Sequence, residues 1–232
     1  MDITFAHLNV ELARIDLLIH KRIETMDRMA RAAAGIEVNP ASLHMTVNEA
    51  LRILQQPFGD AEAIDEDPEI EASYAIALTR IETQIAQIVA ESDETEDESR
   101  IVRLATLCNL TRFDLDCLLI ALAPSIDLRY ERLFGFLHDD LTRRRATANL
   151  MLDLLAPSGP DRLLYLDRFG ERAPLTQHRL LNEAAEPGVV QPVLLNQGLA
   201  VNPTIVSWLL GDYHPDAALA DFVEYTAAAT LQ

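Results

Sequence analysis

Apolar residues recur along the chain at steps of three and four, the period of an amphipathic helix. Leu8, Leu12, Ile15, Ile19, Ile23 and Met26 form one stripe and predict a long helix from Ile3 to Ala33, stopped by Gly35. Asn39-Pro40 then forces an extended bend, and Thr46 with Glu49 has the form of a capping box for a short helix ending near Leu54. Pro57 and Gly59 end it, and the acidic stretch 59–71 reads as a connector. A further helix is predicted to start near Pro68, where Tyr74, Leu78, Ile81, Ile85 and Ile88 fall at 4-3-4-3 spacing. Such a seam is too short to stand alone. Two partners suit it: the stripe of the first helix, in an antiparallel arm, or a globular body on which it lies as an amphipathic helix.

The run Glu91-Ser92-Asp93-Glu94-Thr95-Glu96-Asp97-Glu98-Ser99 has no apolar residue. Like charges repel and keep such a run solvated, so a domain boundary is expected there. Beyond it the pattern predicts helices over 101–110, from 112 to a break at Pro124, and over 128–141. Thr111 and Asp114 cap the second of these. Thr142 is expected to cap a fourth helix carrying Leu150, Met151, Leu154 and Leu155. A turn is expected over 163–169. The period then changes, and 179–184 and 189–195 read as two strands joined through Glu186-Pro187-Gly188. Asn202, Pro203 and Gly211 punctuate a last helix. The predicted fold is mainly α: a helical arm over 1–99 with the acidic linker at its end, a winged-helix domain with a small two-stranded β wing over 100–211, and a connector over 212–232. Whether the arm packs on the winged helix is left open by the pattern.

Charge narrows the function. The net charge is −18, and residues 1–99 hold 21 acids against 7 bases. That field repels nucleic acid and anionic lipid at long range. No apolar run is long enough to span a bilayer, and the start lacks a signal peptide, so a cytoplasmic protein is expected. The two cysteines, Cys108 and Cys117, have neither zinc nor redox spacing. None of the six histidines forms a ligand pair, and no nucleophile elbow is present. Hence no catalytic, cofactor-binding or metal-ligating residues are expected.

The candidate partner-binding residues are Arg143, Arg144 and Arg145. They are placed at the opening of the helix that a helix-turn-helix reader would lay in the major groove. Three uses are open to them: contact with DNA, contact with a protein, or pairing with Asp139, Asp140 or Asp153. The crowded turn with Asp127, Arg129, Glu131 and Arg132 reads as a structural ion-pair cluster, and His138 as a surface partner of Asp139.

Four segments carry a family resemblance: Leu107-Cys108-Asn109-Leu110-Thr111-Arg112-Phe113-Asp114, the run 118–124, Ile126-Asp127-Leu128-Arg129-Tyr130-Glu131-Arg132-Leu133-Phe134, and Leu137-His138-Asp139-Asp140-Leu141-Thr142-Arg143-Arg144-Arg145. Together with Ile205-Val206-Ser207-Trp208-Leu209-Leu210-Gly211, they resemble the winged-helix region that precedes the ATPase core in bacterial AAA ATPases associated with extracellular contractile injection systems. The likeness covers roughly residues 100–215. Ala146 stands where that family often has proline, and Thr204 where it often has arginine. The resemblance implies a regulatory module that recruits a protein substrate or adaptor to its own ATPase domain. It also implies a homohexameric full-length protein, with ATP and magnesium held in an ATPase domain after the connector. No phosphate loop lies within the sequence, whose sole lysine is Lys21. The alternative from another class is a winged-helix DNA-binding transcriptional regulator.

Overall fold

The computed structural model of the chain describes residues 2–33, 68–94, 98–156, 159–184 and 193–212. The expected helix near 46–54 and most of the acidic connector lie outside these residues. Helix α1 spans Ile3–Ala33. Its first turn is capped by Asp2, whose Oδ1 accepts the Thr4 N–H at 2.8 Å. Leu8, Ile15 and Ile19 of its stripe are buried.

Helix α2, Pro68–Glu94, runs antiparallel to α1. Lys21 Nζ lies 2.6 Å from Glu71 Oε2, and Tyr74 donates to Glu24 at 2.9 Å. Arg14 faces Glu82 further along. The 4-3-4-3 seam is the contact surface, with Ile85 buried and the rest half-buried. The arm reading of the seam therefore holds, and so does the alternative, because α1 is itself part of the globular body. Leu8, Ile15 and Ile19 belong to one buried cluster with Ile101, Leu118, Phe134 and Leu150. The packing that the sequence left open is thus direct.

The acidic run departs from expectation. Helix α2 continues through Glu94, and both Ser92 and Ser99 are buried. The Ser99 N–H donates to Ser92 Oγ at 2.7 Å, and Ser99 Oγ hydrogen-bonds His7 Nδ1 at 2.8 Å. Serines carry no charge, so they turn inward where Glu91 and Glu98 stay exposed. Helix α3, Arg100–Leu107, follows at once and buries Ile101 and Leu104. Its first residue is a staple. The Arg100 N–H donates to Thr4 Oγ1 (3.0 Å), its Nη2 to Asp2 (2.7 Å) and its Nε to the Leu209 carbonyl (3.1 Å).

Helix α4, Arg112–Ile126, is the central element, with every residue from 114 to 124 buried. Thr111 and Asp114 make the capping box that the sequence predicts. Pro124 does not break the helix, because the Asp127 N–H still reaches the Ala123 carbonyl at 3.0 Å. Helix α5, Arg129–Leu137, buries Tyr130 and Phe134 and ends four residues earlier than predicted. The cause is Gly135. The chain turns through Asp139, at φ +53, and brings the Leu141 Cα to 3.1 Å from where a Cβ on Gly135 would sit.

Strand β1, Ala146–Thr147, leads directly into helix α6, Ala148–Leu155. The cap of α6 is Thr147, which accepts the Leu150 N–H, and not Thr142, whose hydroxyl is held by Asp140. The stretch 163–169, expected as a turn, is helical together with the three residues before it: two 3-10 turns, Pro160–Arg162 and Asp167–Phe169, flank α7, Leu163–Leu166. Helix α8, Pro174–Gln177, comes next, followed by strands β2, Leu181–Glu183, and β3, Gly198–Val201. Helix α9, Pro203–Leu209, is capped by Asn202 and closed by Gly211 at φ +87.

The sheet has three strands, not two, in the order β1-β3-β2, all antiparallel. The second wing strand lies later than expected. Residues 189–192 are outside the described set, and Leu194–Asn196 form a 3-10 turn with Val193, Leu194 and Leu195 exposed. The partner of β2 is β3, whose Leu199 and Val201 point into the core on alternate positions.

Because α1 lies in the shared core, Ile15→Ala is expected to destabilise the whole fold by about 2–5 kcal/mol. Denaturant unfolding, followed by far-UV circular dichroism and by Trp208 fluorescence, should report one transition shifted equally. A Trp208 transition left at the wild-type midpoint would show that the arm unfolds separately.

Candidate functional site

In a helix-turn-helix reader the second helix enters the major groove. Here the segment between α6 and the hairpin occupies that place, not a helix opened by the arginine triplet. Two of its four arginines pair inward. Arg162 is buried and donates from Nη2 to Asp153 (2.6 Å) and Asn149 Oδ1 (2.9 Å). Arg168 donates from Nε to Asp114 Oδ1 at 2.9 Å, and from Nη2 to the other Asp114 oxygen and to Thr111. This segment presents to solvent Asp161, Asp167 and Glu171, the bases Arg172 and Arg179, and the apolar Leu163 and the still more exposed Leu164. Helix α6 turns Ala148, Leu150, Met151 and Leu152 into the core.

The triplet Arg143-Arg144-Arg145 lies in the loop before β1. Arg143 reaches Asp140 (3.5 Å) and Asn196 Oδ1 (3.0 Å), Arg144 stands 4.0 Å from Glu131, and Arg145 stands 3.7 Å from the same carboxylate. Of the partners expected from sequence, only Asp140 is used. Asp153 is engaged by Arg162, and burial raises its pKa against the pull of Arg162 and Arg22. His138 does not pair with Asp139. Its Nδ1 lies 2.7 Å from the Phe134 carbonyl and its Nε2 3.0 Å from Thr147 Oγ1, tying α5 to the start of α6. Burial lowers its pKa.

Beside the triplet, α5 and the loop after it wall a groove of about 1060 Å³ lined by Leu128, Arg129, Glu131, Arg132, Leu133, Phe136, Leu141 and Arg144. Leu128, Phe136 and Leu141 are exposed by 69%, 50% and 78%, so large apolar surface and arginine forks share one concavity. Arg129 is held by Asp16 at 2.7 Å and Asp127 at 3.3 Å, as the predicted ion-pair cluster implies. Arg132 makes no hydrogen bond or ion pair among the described residues.

The densest charge cluster lies elsewhere, between α1 and α4. Glu11 is fully buried, and its carboxylate accepts both arms of Arg112 and faces His7 at 3.3 Å. Arg112 also reaches Asp116 at 2.8 Å, and Arg14 reaches the same oxygen at 2.7 Å. Paired buried carboxylates are a signature of acid-base chemistry when one is left free to exchange a proton. Here each is capped by arginine. Burial pushes the Glu11 carboxyl up, but the Arg112 forks and then His7 outweigh it and hold it at about 2. Burial wins for Asp116, whose pKa is raised despite Arg112 and Arg14. The neighbouring Cys117 thiol is pushed well up by burial and by the carboxylates of Asp116 and Asp114, which keeps it inert. Among the described residues there is no group of three metal-ligating side chains, and no helix long and apolar enough to cross a membrane. The cluster is a structural fastener. Sequence reasoning missed it, although Glu11 and Arg14 sit beside an apolar stripe and Asp114 and Asp116 sit in an otherwise apolar helix.

Strand β1 before the helical pair, then an antiparallel hairpin returning beside β1, define a winged-helix domain with an added helical arm. The family model described as "Winged helix domain, variant" matches residues 4–223, and the chain belongs to that family. Comparisons with curated proteins and with solved structures gave no significant match.

Since the folded Glu11 pKa is depressed, its contribution is present above its ordinary value of 4.5 and is lost as pH falls through about 2. The wild type should therefore lose on the order of 3 kcal/mol more stability than Glu11→Gln between about pH 5 and pH 2. Urea melts across that range measure it, and parallel pH profiles for the two proteins would refute the assignment.

Proposed function

We propose that this winged-helix chain is a partner-binding module that contacts protein rather than nucleic acid. In full, it is the N-terminal regulatory part of a cytoplasmic AAA ATPase, recruiting a substrate or adaptor to the ATPase ring. The observation that carries the protein-binding reading is the groove beside α5, where exposed Leu128, Phe136 and Leu141 share one concavity with Arg132 and Arg144. The segment in the reader position commits Arg162 to Asp153 and Arg168 to Asp114, and its exposed Arg172 and Arg179 stand among the exposed carboxylates of Asp161, Asp167 and Glu171, a mixed surface rather than a basic one. The net charge of −18 adds long-range repulsion of DNA. A concave surface of leucine, phenylalanine and arginine has the composition of protein interfaces.

The ATPase assignment rests on the resemblance of residues 100–215 to the region that precedes an AAA core. It gives the module a role: the arm and winged helix hold a protein, such as a component of a contractile injection particle, over a homohexameric ring. ATP and magnesium would bind in the domain that follows, whose phosphate loop supplies the needed lysine and glycines. The staple from Arg100 to Asp2 and to the Leu209 carbonyl supports such a role. It joins the arm to the end of α9, beyond which the ATPase domain is proposed to lie.

Two measurements test this. In fluorescence anisotropy at physiological salt the chain should show no submicromolar, sequence-dependent binding to duplex DNA; such binding, abolished by Arg144→Glu, would favour the transcriptional-regulator alternative. The natural reading frame beyond Gln232 should encode a Gly-x-x-x-x-Gly-Lys-Ser/Thr loop behind an apolar strand, and its absence there and in the adjacent gene would overturn the ATPase assignment.

A further inference from the structure

The groove beside α5 combines exposed apolar and exposed cationic side chains in one concavity. We propose that it binds an acidic, amphipathic segment of a partner protein. The segment's carboxylates would lie on Arg132 and Arg144, and its apolar side chains on Leu128, Phe136 and Leu141. The inference rests on the protein-binding reading above and specifies the surface and the chemistry of what it holds.

Charge selects the occupant. Three arginines and one glutamate line the groove, on a chain whose net charge is −18. At physiological ionic strength charges beyond about 8 Å are screened, so an incoming segment feels the local arginines more than the distant acids. The arginines differ in availability. Arg129 is committed to Asp16 and Asp127. Arg144 stands at the 4.0 Å limit of an ion pair with Glu131 and is 69% exposed, and Arg132 is exposed with no ion pair among the described residues. Two guanidinium forks therefore remain to take carboxylates, which they do in bidentate geometry.

The apolar floor is built rather than incidental. Leu141 is fixed against α5 by the close approach of its backbone to Gly135, and Leu133, between the exposed side chains, is packed on the core. A fixed apolar surface flanked by arginine costs little ordering on binding, which is where interface affinity is usually lost. An anionic membrane is a poorer fit, because surface recruitment of this kind takes clusters of four or more basic residues. Nucleic acid would set phosphates against leucine and phenylalanine.

The test is fluorescence anisotropy of the 232-residue chain with a labelled peptide carrying glutamates on one helical face and Leu and Phe on the other. A matched peptide has lysine in place of glutamate, and vesicles of anionic phospholipid serve as a second probe. The acidic peptide should bind, weaken with salt, and lose about tenfold or more in affinity with Arg132→Glu and with Leu141→Asp. Both substituted positions are exposed, and circular dichroism melts at the wild-type midpoint confirm that the variants fold. Arg80→Glu on the exposed side of α2 should change nothing. Equal affinity of wild type and both groove variants, equal binding of the lysine peptide, or stronger binding to the vesicles would overturn the proposal. A natural protein partner held equally by wild type and by both variants would overturn the groove alone and leave the protein-binding reading standing, whereas sequence-dependent DNA binding would overturn both.

Discussion

Everything in the fold hangs on how α1 is docked, and that is set by the buried charges of Glu11, Arg14, Arg112 and Asp116. Apolar contacts alone tolerate sliding: Leu8, Leu12, Ile15 and Ile19 repeat every turn, so a shift of one turn along α4 would find similar leucines. The carboxylate of Glu11 tolerates no such shift, because out of reach of Arg112 it would be a bare charge in the core. Buried ion pairs add little net stability once desolvation is counted, but breaking one is costly. The network therefore acts on register. With α1 fixed, α2 is fixed through Lys21–Glu71 and Arg14–Glu82, and the α2–α3 junction through His7–Ser99.

What local chemistry decides was legible in the sequence. The extent of α1, the start of α2 at Pro68, the Thr111 capping box and the Asn202–Gly211 punctuation of the last helix all depend on residues within a turn of one another. What tertiary contact decides was not. The end of α5 depends on the backbone of Leu141 lying against Gly135, and the choice of Thr147 over Thr142 as a cap depends on β1 pairing with β3. The strand opposite β2 was misplaced for a related reason. Val193-Leu194-Leu195 is the more apolar run, yet Gly198-Leu199-Ala200-Val201 has the alternation that a sheet with one buried face needs.

The candidate site shows the same division. A cluster of three arginines attracts attention in a sequence because it is contiguous, while Arg162 and Arg168 stand alone and look unremarkable. Their importance is non-local: Asp114 lies 54 positions from Arg168, on another helix. Burial inverts the usual inference from charge. Arg162 is drawn into the core by Asp153 and Arg168 is held against buried Asp114, so the surface of that segment mixes Asp161, Asp167 and Glu171 with Arg172, Arg179 and two exposed leucines. The winged-helix outline is thus kept while two of the arginines in the reader position serve packing.

This placement also ties the groove to the arm. Asp16 of α1 accepts the Tyr130 hydroxyl at 2.7 Å and the Arg129 guanidinium at 2.7 Å, so the first turn of α5 is held from α1. Asp2, which caps the same helix, and Thr4 within it hold Arg100, and Arg100 in turn donates to the Leu209 carbonyl at the end of α9. A helix of 31 residues therefore meets the rim of the groove directly and the end of the final helix through Arg100. Strain applied at one of these contacts is carried to the other through α1, since close-packed interiors transmit displacement rather than absorb it. On the recruiting role proposed above, α1 is the member through which an occupied groove would be felt at the end of α9. The arm shares the core of the winged helix and is not an appendage to it.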